Sequence, residues 1–256
     1  MSDSPLKVWL EKEERLLRLR LSRPKANIVD AEMIEALNTA FDKHLGTAKL
    51  TAVILDAEGP HFSFGASVAE HMPDQCAAML KSLHALINQM LDCPVPILVA
   101  IQGQCLGGGL EVALAGNLLF AAPNASLGQP EIKLAVFAPA ASCLLPERIG
   151  QSQAEDLLFS GRSIDGNEAL RIGLINALSE DPSAAAEAYF DEHLSKASAS
   201  SLRFAVKAAS FDSVERIKHK LVTVEKLYLQ ELMATHDAVE GLQAFVEKRA
   251  ANWEHR

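Results

Sequence analysis

Three short, uninterrupted apolar runs constrain this chain more than anything else in it: Ala52-Val53-Ile54-Leu55, Ile97-Leu98-Val99-Ala100-Ile101 and Leu118-Leu119-Phe120-Ala121. A strand with one face in water alternates apolar and polar residues, whereas a strand apolar at every position is covered on both faces. Segments of helical spacing lie between the runs. Ile34, Leu37, Phe41 and Leu45 recur in a stretch that opens at Asp30 and ends before Gly46. Met79, Leu83, Leu86 and Met90 recur between Asp74 and Asp92, and a third, short helix is expected to run through Ala115. Strand, loop, helix, strand implies parallel pairing through crossovers, so the predicted fold class is α/β. Ahead of these, Leu17, Leu19 and Leu21 alternate with Arg18 and Arg20, which predicts a half-buried strand with its arginines on the other face.

The later part reads as helical. Asp165-Gly166-Asn167-Glu168 has the form of a capping box for a helix that stops at Gly173, and Asp181-Pro182 starts another. Beyond about residue 200 no strand is expected. Leu221, Val224, Leu227 and Leu232, then Val239, Leu242, Phe245 and Val246, predict two amphipathic helices joined near Asp237. The expected organisation is a core over residues 1–199 and a helical region over 200–256. The helical region either packs on that core or mates with another subunit.

Apolar residues make up 49% of the 256 and charged ones 22%, a balance that excludes wholesale disorder. A net charge of −9 argues against nucleic acid as the partner. Any anionic ligand must therefore be held by a local basic cluster or by backbone N–H groups. Cys76, Cys93, Cys105 and Cys143 form no CxxC pair and are expected to be buried free thiols in a reducing compartment. The first residues show no basic segment followed by an apolar one. The stretch from Val95 to Ala122 is broken by glycines and Glu111, so neither a secretory signal nor a membrane span is expected. A cytoplasmic protein is the expectation. His61, His71 and His84 lack metal-ligand spacing, which predicts surface or core histidines and no metal.

Chemistry concentrates at two glutamates, Glu111 and Glu131, each at the end of an otherwise apolar segment where a lone carboxylate is costly to bury. Carboxylates kept in such surroundings point to acid/base work beside a pocket. Ahead of the first, Gly107-Gly108-Gly109 follows a strand and opens a helix, which lets a ligand approach unpaired N–H groups. A phosphate loop would continue with Lys and Ser or Thr; this chain continues Leu110-Glu111. That suits a neutral carbonyl that gains negative charge only during reaction. The loop Phe64-Gly65-Ala66 supplies a possible second donor.

In order and spacing, Phe64-Gly65-Ala66, Gly107-Gly108-Gly109-Leu110-Glu111 and Leu127-Gly128-Gln129-Pro130-Glu131 resemble the enoyl-CoA hydratase/isomerase (crotonase) superfamily. The resemblance runs from Arg23-Pro24-Lys25-Ala26-Asn27 to Asp237-Ala238-Val239-Glu240-Gly241 and the following Ala244–Arg249. It implies a spiral of ββα units followed by a helical trimerisation region, as a homotrimer or dimer of trimers. It also implies an oxyanion hole of the Ala66 and Gly108 N–H groups holding a thioester carbonyl. Glu111 and Glu131 are implied as the hydratase carboxylates, with Glu131 delivering the proton to carbon and Glu111 orienting and activating water. Gly65, Val68, Gly107 and Pro130 are implied to line the acyl site. Arg23, Lys25 and Ala26 would lie along CoA, and Lys248 would reach it from a neighbouring subunit. The partner is an acyl-CoA thioester, with no cofactor because CoA belongs to the substrate.

Two departures stand out. Many relatives carry Asp where this chain has Ser67, and many hydratases have a glycine-rich stretch where it has Phe137-Ala138-Pro139-Ala140-Ala141-Ser142. Pro139 has no N–H to offer a water. The combination of Gly65-Ala66-Ser67-Val68 with Val136-Phe137-Ala138-Pro139 is most similar to those members that hydrate a cyclic conjugated dienoyl thioester. A short-chain enoyl-CoA hydratase, an enoyl-CoA isomerase and a non-catalytic CoA- or RNA-binding relative remain alternatives.

Overall fold

The structure, a computed structural model, describes residues 4–256. An antiparallel pair, β1 (Leu6–Glu11) and β2 (Leu16–Leu21), is followed by α1 (Ala31–His44) and β3 (Ala52–Ala57). Next come α2 (Cys76–Leu91), β4 (Ile97–Ile101), β5 (Gln104–Leu106), α3 (Gly108–Leu114), β6 (Leu118–Ala121) and β7 (Ser126–Gly128). The chain continues through α4 (Pro139–Ser160), β8 (Ser163–Asp165), α5 (Gly166–Arg171), β9 (Ala177–Leu178) and α6 (Pro182–Tyr189). It closes with the long α7 (Ala199–Lys226) and α8 (His236–Val246). Single 3-10 turns at Val68–His71 and Pro130–Leu134 carry side chains that matter below.

The main sheet has the order β1-β2-β3-β4-β6-β9 and is parallel from β2 onward, with Leu19 opposite Leu55 and Val99 opposite Leu119. A second sheet, β5-β7-β8, pairs β5 parallel to β7. The three apolar runs form β3, β4 and β6 and are covered on both faces. One face sends Val53, Leu55, Ile97, Val99 and Leu119 into the main core with α1, α2 and α3. The other sends Ala52, Ile54, Leu98, Ala100 and Phe120 against Ala186 of α6 and Phe190. Asp30 caps α1 by accepting from Met33 N, and Asp165 caps α5 by accepting from Glu168 N, as their positions before an apolar-periodic segment predict. β5, β7, β8 and β9 were not legible in the pattern, because segments of two or three residues carry no period; the six-residue β1, with Leu6, Val8 and Leu10 alternating, was not anticipated.

The arginine face of β2 departs from expectation. Arg18 is 3% exposed, because α6 crosses this face of the sheet. Its guanidinium donates to Asp56 at 3.2 Å, Ser183 at 3.0 Å, Glu187 at 2.8 Å and Glu11 at 3.2 Å. Arg20 grips the same Asp56 with two bonds of 2.7 Å. A buried charge is tolerated only when paired and hydrogen-bonded, and this cluster is. Asp56→Ala removes three partners and leaves Arg18 short of countercharge, so it should destabilise the fold by about 3 kcal/mol or more. Arg20→Ala, whose side chain is 35% exposed, should cost less than about 1 kcal/mol. Urea unfolding of both variants checks the contrast; equal losses would contradict it.

Candidate active site

The site forms where two chain reversals meet. Residues 62–66 run beside β5: Ser63 N donates to Gln104 O at 3.0 Å, and Leu106 N donates to Ser63 O at 3.0 Å. On the far side Val29 N donates to Gly65 O at 3.0 Å. Gly65-Ala66 is therefore held in a lattice of main-chain bonds rather than on a free loop. Leaving β5, the chain turns at Gly107 with φ +50°, a conformation natural to glycine, and enters α3. A Cβ at Gly108 would stand 3.1 Å from Ala66 N and 2.9 Å from Ala66 Cβ, so the two peptide groups nearly touch. Among the described residues, no acceptor takes the N–H of either Ala66 or Gly108. Gly108 is the first residue of α3, where N–H groups have no intrahelical partner. Two free donors thus sit side by side at one end of a cavity.

That cavity is small, with about 80 Å³ accessible to water, and both carboxyl groups line it. Glu111 lies in the first turn of α3 and is 3% exposed. Its Oε1 accepts from Ala141 N at 2.9 Å. Ala141 is the third residue of α4, so the free N–H groups of that helix end face the carboxyl. Pro139 occupies the first position of α4, where a missing N–H costs nothing. The Ala141 N–H goes to Glu111 itself, so it does not replace the N–H that Pro139 lacks for a water.

Glu131 sits on the 3-10 turn after β7, and a Cβ on Gly107 would come within 2.7 Å of its Oε1. Gln129, 1% exposed, sets its side-chain amide 3.0 and 3.1 Å from the two carboxyl oxygens, and its nitrogen is assigned to that side because there it can donate to them. Burial raises Glu111 above the usual carboxylate range, with the Ala141 N–H and the His84 imidazole pulling it partly back. Glu131 is half-buried as a residue, yet enclosure is the leading cause that pushes it up to about 8, and the charge of Glu111 is the second. The two carboxyl groups share one site, so the charge of either opposes ionisation of the other.

Of the positions named from sequence, the cavity brings together Gly65, Ala66, Val68, Gly107, Gly108, Glu111, Pro130 and Glu131. Arg23, Lys25, Ala26 and Lys248 lie outside it. Arg23 is engaged by Asp30 at the cap of α1, with Glu32 3.6 Å away. Lys25 and Lys248 are exposed, and both have positive φ. Leu80, Leu83, Leu134, Phe137 and Leu242 complete the apolar wall. Behind Phe137 stands the fully buried Tyr228, its ring 5.2 Å from the Phe137 ring and its hydroxyl without a partner among the described residues. His71, expected at the surface or in the core, is in the cavity wall instead. Gln129 and His71 were missed because neither stands in a motif. The one available signal for Gln129 was an amide between apolar residues and a candidate acid.

A profile described as "Enoyl-CoA hydratase/isomerase" matches residues 11–256. The chain belongs to the enoyl-CoA hydratase/isomerase family. It is 73% identical over 255 residues to the Cyclohexa-1,5-dienecarbonyl-CoA hydratase of Thauera aromatica, covering 100% of this chain and 99% of the relative. A Probable enoyl-CoA hydratase of Bacillus subtilis is 32% identical over 90% of this chain and 92% of its own length. Among solved structures, an enoyl-CoA hydratase from Mycobacterium avium superposes with a TM-score of 0.87 at 23% identity, covering 98% of this chain and 99% of that one. The crotonase fold expected from the motifs is the fold observed.

The proton held by Glu131 leaves a thermodynamic trace in this hydratase/isomerase-family chain. Its folded-state pKa lies above the ordinary value of 4.5. The stability tied to that proton is therefore full below about pH 4.5 and lost as pH rises through about 8. Glu131→Gln carries no such proton. The variant should gain on the parent by at least about 1 kcal/mol between pH 5 and pH 9. Urea unfolding of both proteins at the two pH values measures this. A difference that stays constant would place the carboxyl in ordinary solvent.

Proposed function

We propose that this chain is a hydratase, a carbon–oxygen lyase, that adds water to a conjugated enoyl-CoA thioester. Its substrate is a cyclic dienoyl-CoA of the cyclohexa-1,5-diene-1-carbonyl type, as formed in the breakdown of aromatic acids. The observation that carries this reading is a pair of raised carboxyl groups in one cavity with two free main-chain N–H groups. An isomerase needs one such acid/base group; two suit the addition of water, which is deprotonated at one atom while a carbon is protonated at another. The ring is supported by the 73% identity to a cyclic dienoyl-CoA hydratase.

In this mechanism the thioester oxygen accepts from Ala66 and Gly108 N–H, which stabilise the enolate as it forms. Glu111 takes a proton from water, and the water oxygen bonds to the β-carbon. The displaced π pair moves into the carbonyl and, through the second double bond, to the far carbon of the diene. Glu131 gives its proton to that carbon as the carbonyl re-forms, and a new double bond joins the two central carbons of the former diene. One water is consumed, and proton exchange between the paired carboxyls restores the starting state. With Oε1 of Glu111 held by Ala141, its second oxygen is left for the water.

No cofactor enters this scheme, since CoA travels with the substrate. Arg23, Lys25 and Ala26 would follow the CoA chain, with Lys248 contributed by a neighbouring subunit of a homotrimer or dimer of trimers in the cytoplasm. Exposed Phe204, Phe211, Phe245 and Val246 on α7 and α8 support assembly through the region from 200 to 256. No described helix is long and apolar enough to cross a membrane.

Glu111→Gln and Glu131→Gln should each lower turnover at least about a hundredfold. The wild type should prefer the cyclic dienoyl-CoA over crotonyl-CoA, and in deuterated water it should place one deuterium on the carbon remote from the new hydroxyl. A strong preference for crotonyl-CoA removes the cyclic assignment. A shifted double bond with no added oxygen identifies an isomerase instead.

A further inference from the structure

His71 ends the 3-10 turn Val68–His71 and lines the same cavity as Glu111 and Glu131, yet the hydration scheme gives it no task. Its Nδ1 lies 2.8 Å from Ser67 O, the carbonyl of the residue that follows the oxyanion donor Ala66. A carbonyl oxygen only accepts, so Nδ1 must carry the hydrogen. That bond selects the tautomer: in the neutral ring Nε2 is left with a lone pair and no hydrogen. Burial lowers the imidazole below its ordinary range, which keeps the ring neutral near pH 7. Nε2 has no partner among the described residues. Since Nδ1 faces back to its own turn, Nε2 lies on the outer edge of the ring.

The neighbours sharpen the point. Val68, Leu80, Leu83, Leu134 and Phe137 make this part of the wall apolar. A hydrocarbon ring gains nothing from a bare nitrogen lone pair, and once a bound ligand excludes water from this wall an acceptor left without a donor costs free energy. A ligand that carries a hydroxyl would satisfy it. The enoyl substrate carries none on its acyl group, whereas the hydrated product does.

We propose that His71 is a specificity-determining residue whose Nε2 accepts a hydrogen bond from the hydroxyl of the hydrated acyl group, so that the cavity discriminates hydroxyacyl-CoA from the unsaturated thioester. The inference rests on the hydratase reading above. The bond forms as the water oxygen becomes attached to carbon, so it is made in the transition state and the product complex but not in the dienoyl complex. Removing it should act on the two directions differently. In hydration, kcat falls while KM for the dienoyl-CoA holds; in dehydration, KM for the hydroxyacyl-CoA rises while kcat holds. Both directions then lose the same factor in kcat/KM, as the unchanged overall equilibrium requires.

The test is steady-state kinetics in both directions for His71→Leu and His71→Gln, with cyclohexa-1,5-diene-1-carbonyl-CoA and its hydrated product. Loss of one neutral hydrogen bond predicts about a tenfold fall in hydration kcat and about a tenfold rise in the dehydration KM for His71→Leu. His71→Gln, which retains an acceptor at similar reach, should recover most of both. A rise in KM for both thioesters, or no recovery with Gln, reduces His71 to a packing residue and overturns the proposal, as does unaltered kinetics in His71→Leu. Wild-type protein that fails to hydrate the dienoyl-CoA at all refutes the hydratase reading itself, an outcome separate from any behaviour of the variants.

Discussion

Two carboxyl groups share one apolar cavity, and the rest of the site is arranged around the cost of keeping them there. No Lys or Arg among the described residues lines the cavity, and the only charge that eases either group is that of the His84 imidazole on Glu111. Relief comes from weaker partners, the Ala141 N–H at the start of α4 for Glu111 and the amide of Gln129 for Glu131. Such partners hold the groups in place without locking either into the charged form. An arginine in place of Gln129 would have made Glu131 an ordinary ion-paired carboxylate with no proton to give. A buried charged network, Arg18 with Asp56 and Glu187, lies on the opposite face of the main sheet, under α6. Such pairing is absent from the cavity that holds the two carboxyl groups.

Geometry at the free N–H groups of Ala66 and Gly108 follows from main-chain pairing. Ser63 bridges to Cys105 and Val29 to Ala66, so the two N–H groups are fixed by strands that cannot shift without breaking several bonds. Donors held in this way require little rearrangement as charge develops, and that is the condition under which they stabilise an oxyanion best. The glycine at 108 is explained by distance: a Cβ there would stand 2.9 Å from Ala66 Cβ and 3.1 Å from Ala66 N.

Much of this was legible in the chain itself. Apolar runs at β3, β4 and β6 announced a parallel sheet covered on both faces, and the ordered Gly-Ala, triple-glycine and Pro-Glu segments marked residues that the structure gathers in one cavity. What escaped notice did so for physical reasons. Arg18 looked solvated because the helix that covers it lies far along the chain, and alternation in β2 says nothing of α6. The place of Pro139 at the start of α4 was not anticipated; there it breaks no helical hydrogen bond, and the free Ala141 N–H goes to Glu111. His71 carried no periodic or motif signal, and only the bond to Ser67 O and its place in the cavity wall distinguish it from any other histidine.

The helical region after residue 200 is bound into the chemistry as well as into the surface. Leu242 of α8 is part of the cavity wall, and Gly241 beside it packs so closely that a Cβ would meet Leu134 O at 2.2 Å. Leu134 ends the turn that carries Glu131. Tyr228, from the π-helical turn after α7, backs Phe137 on the other side. The turn bearing one catalytic candidate is therefore pressed between the core and the last helix, and its carboxyl can reach a raised pKa only while that contact keeps water out. Desolvation is the leading cause of the shift at Glu131. Leu242 of α8 and Tyr228 thus tie the enclosure of Glu131 to the same C-terminal region whose outer faces expose Phe211 and Phe245.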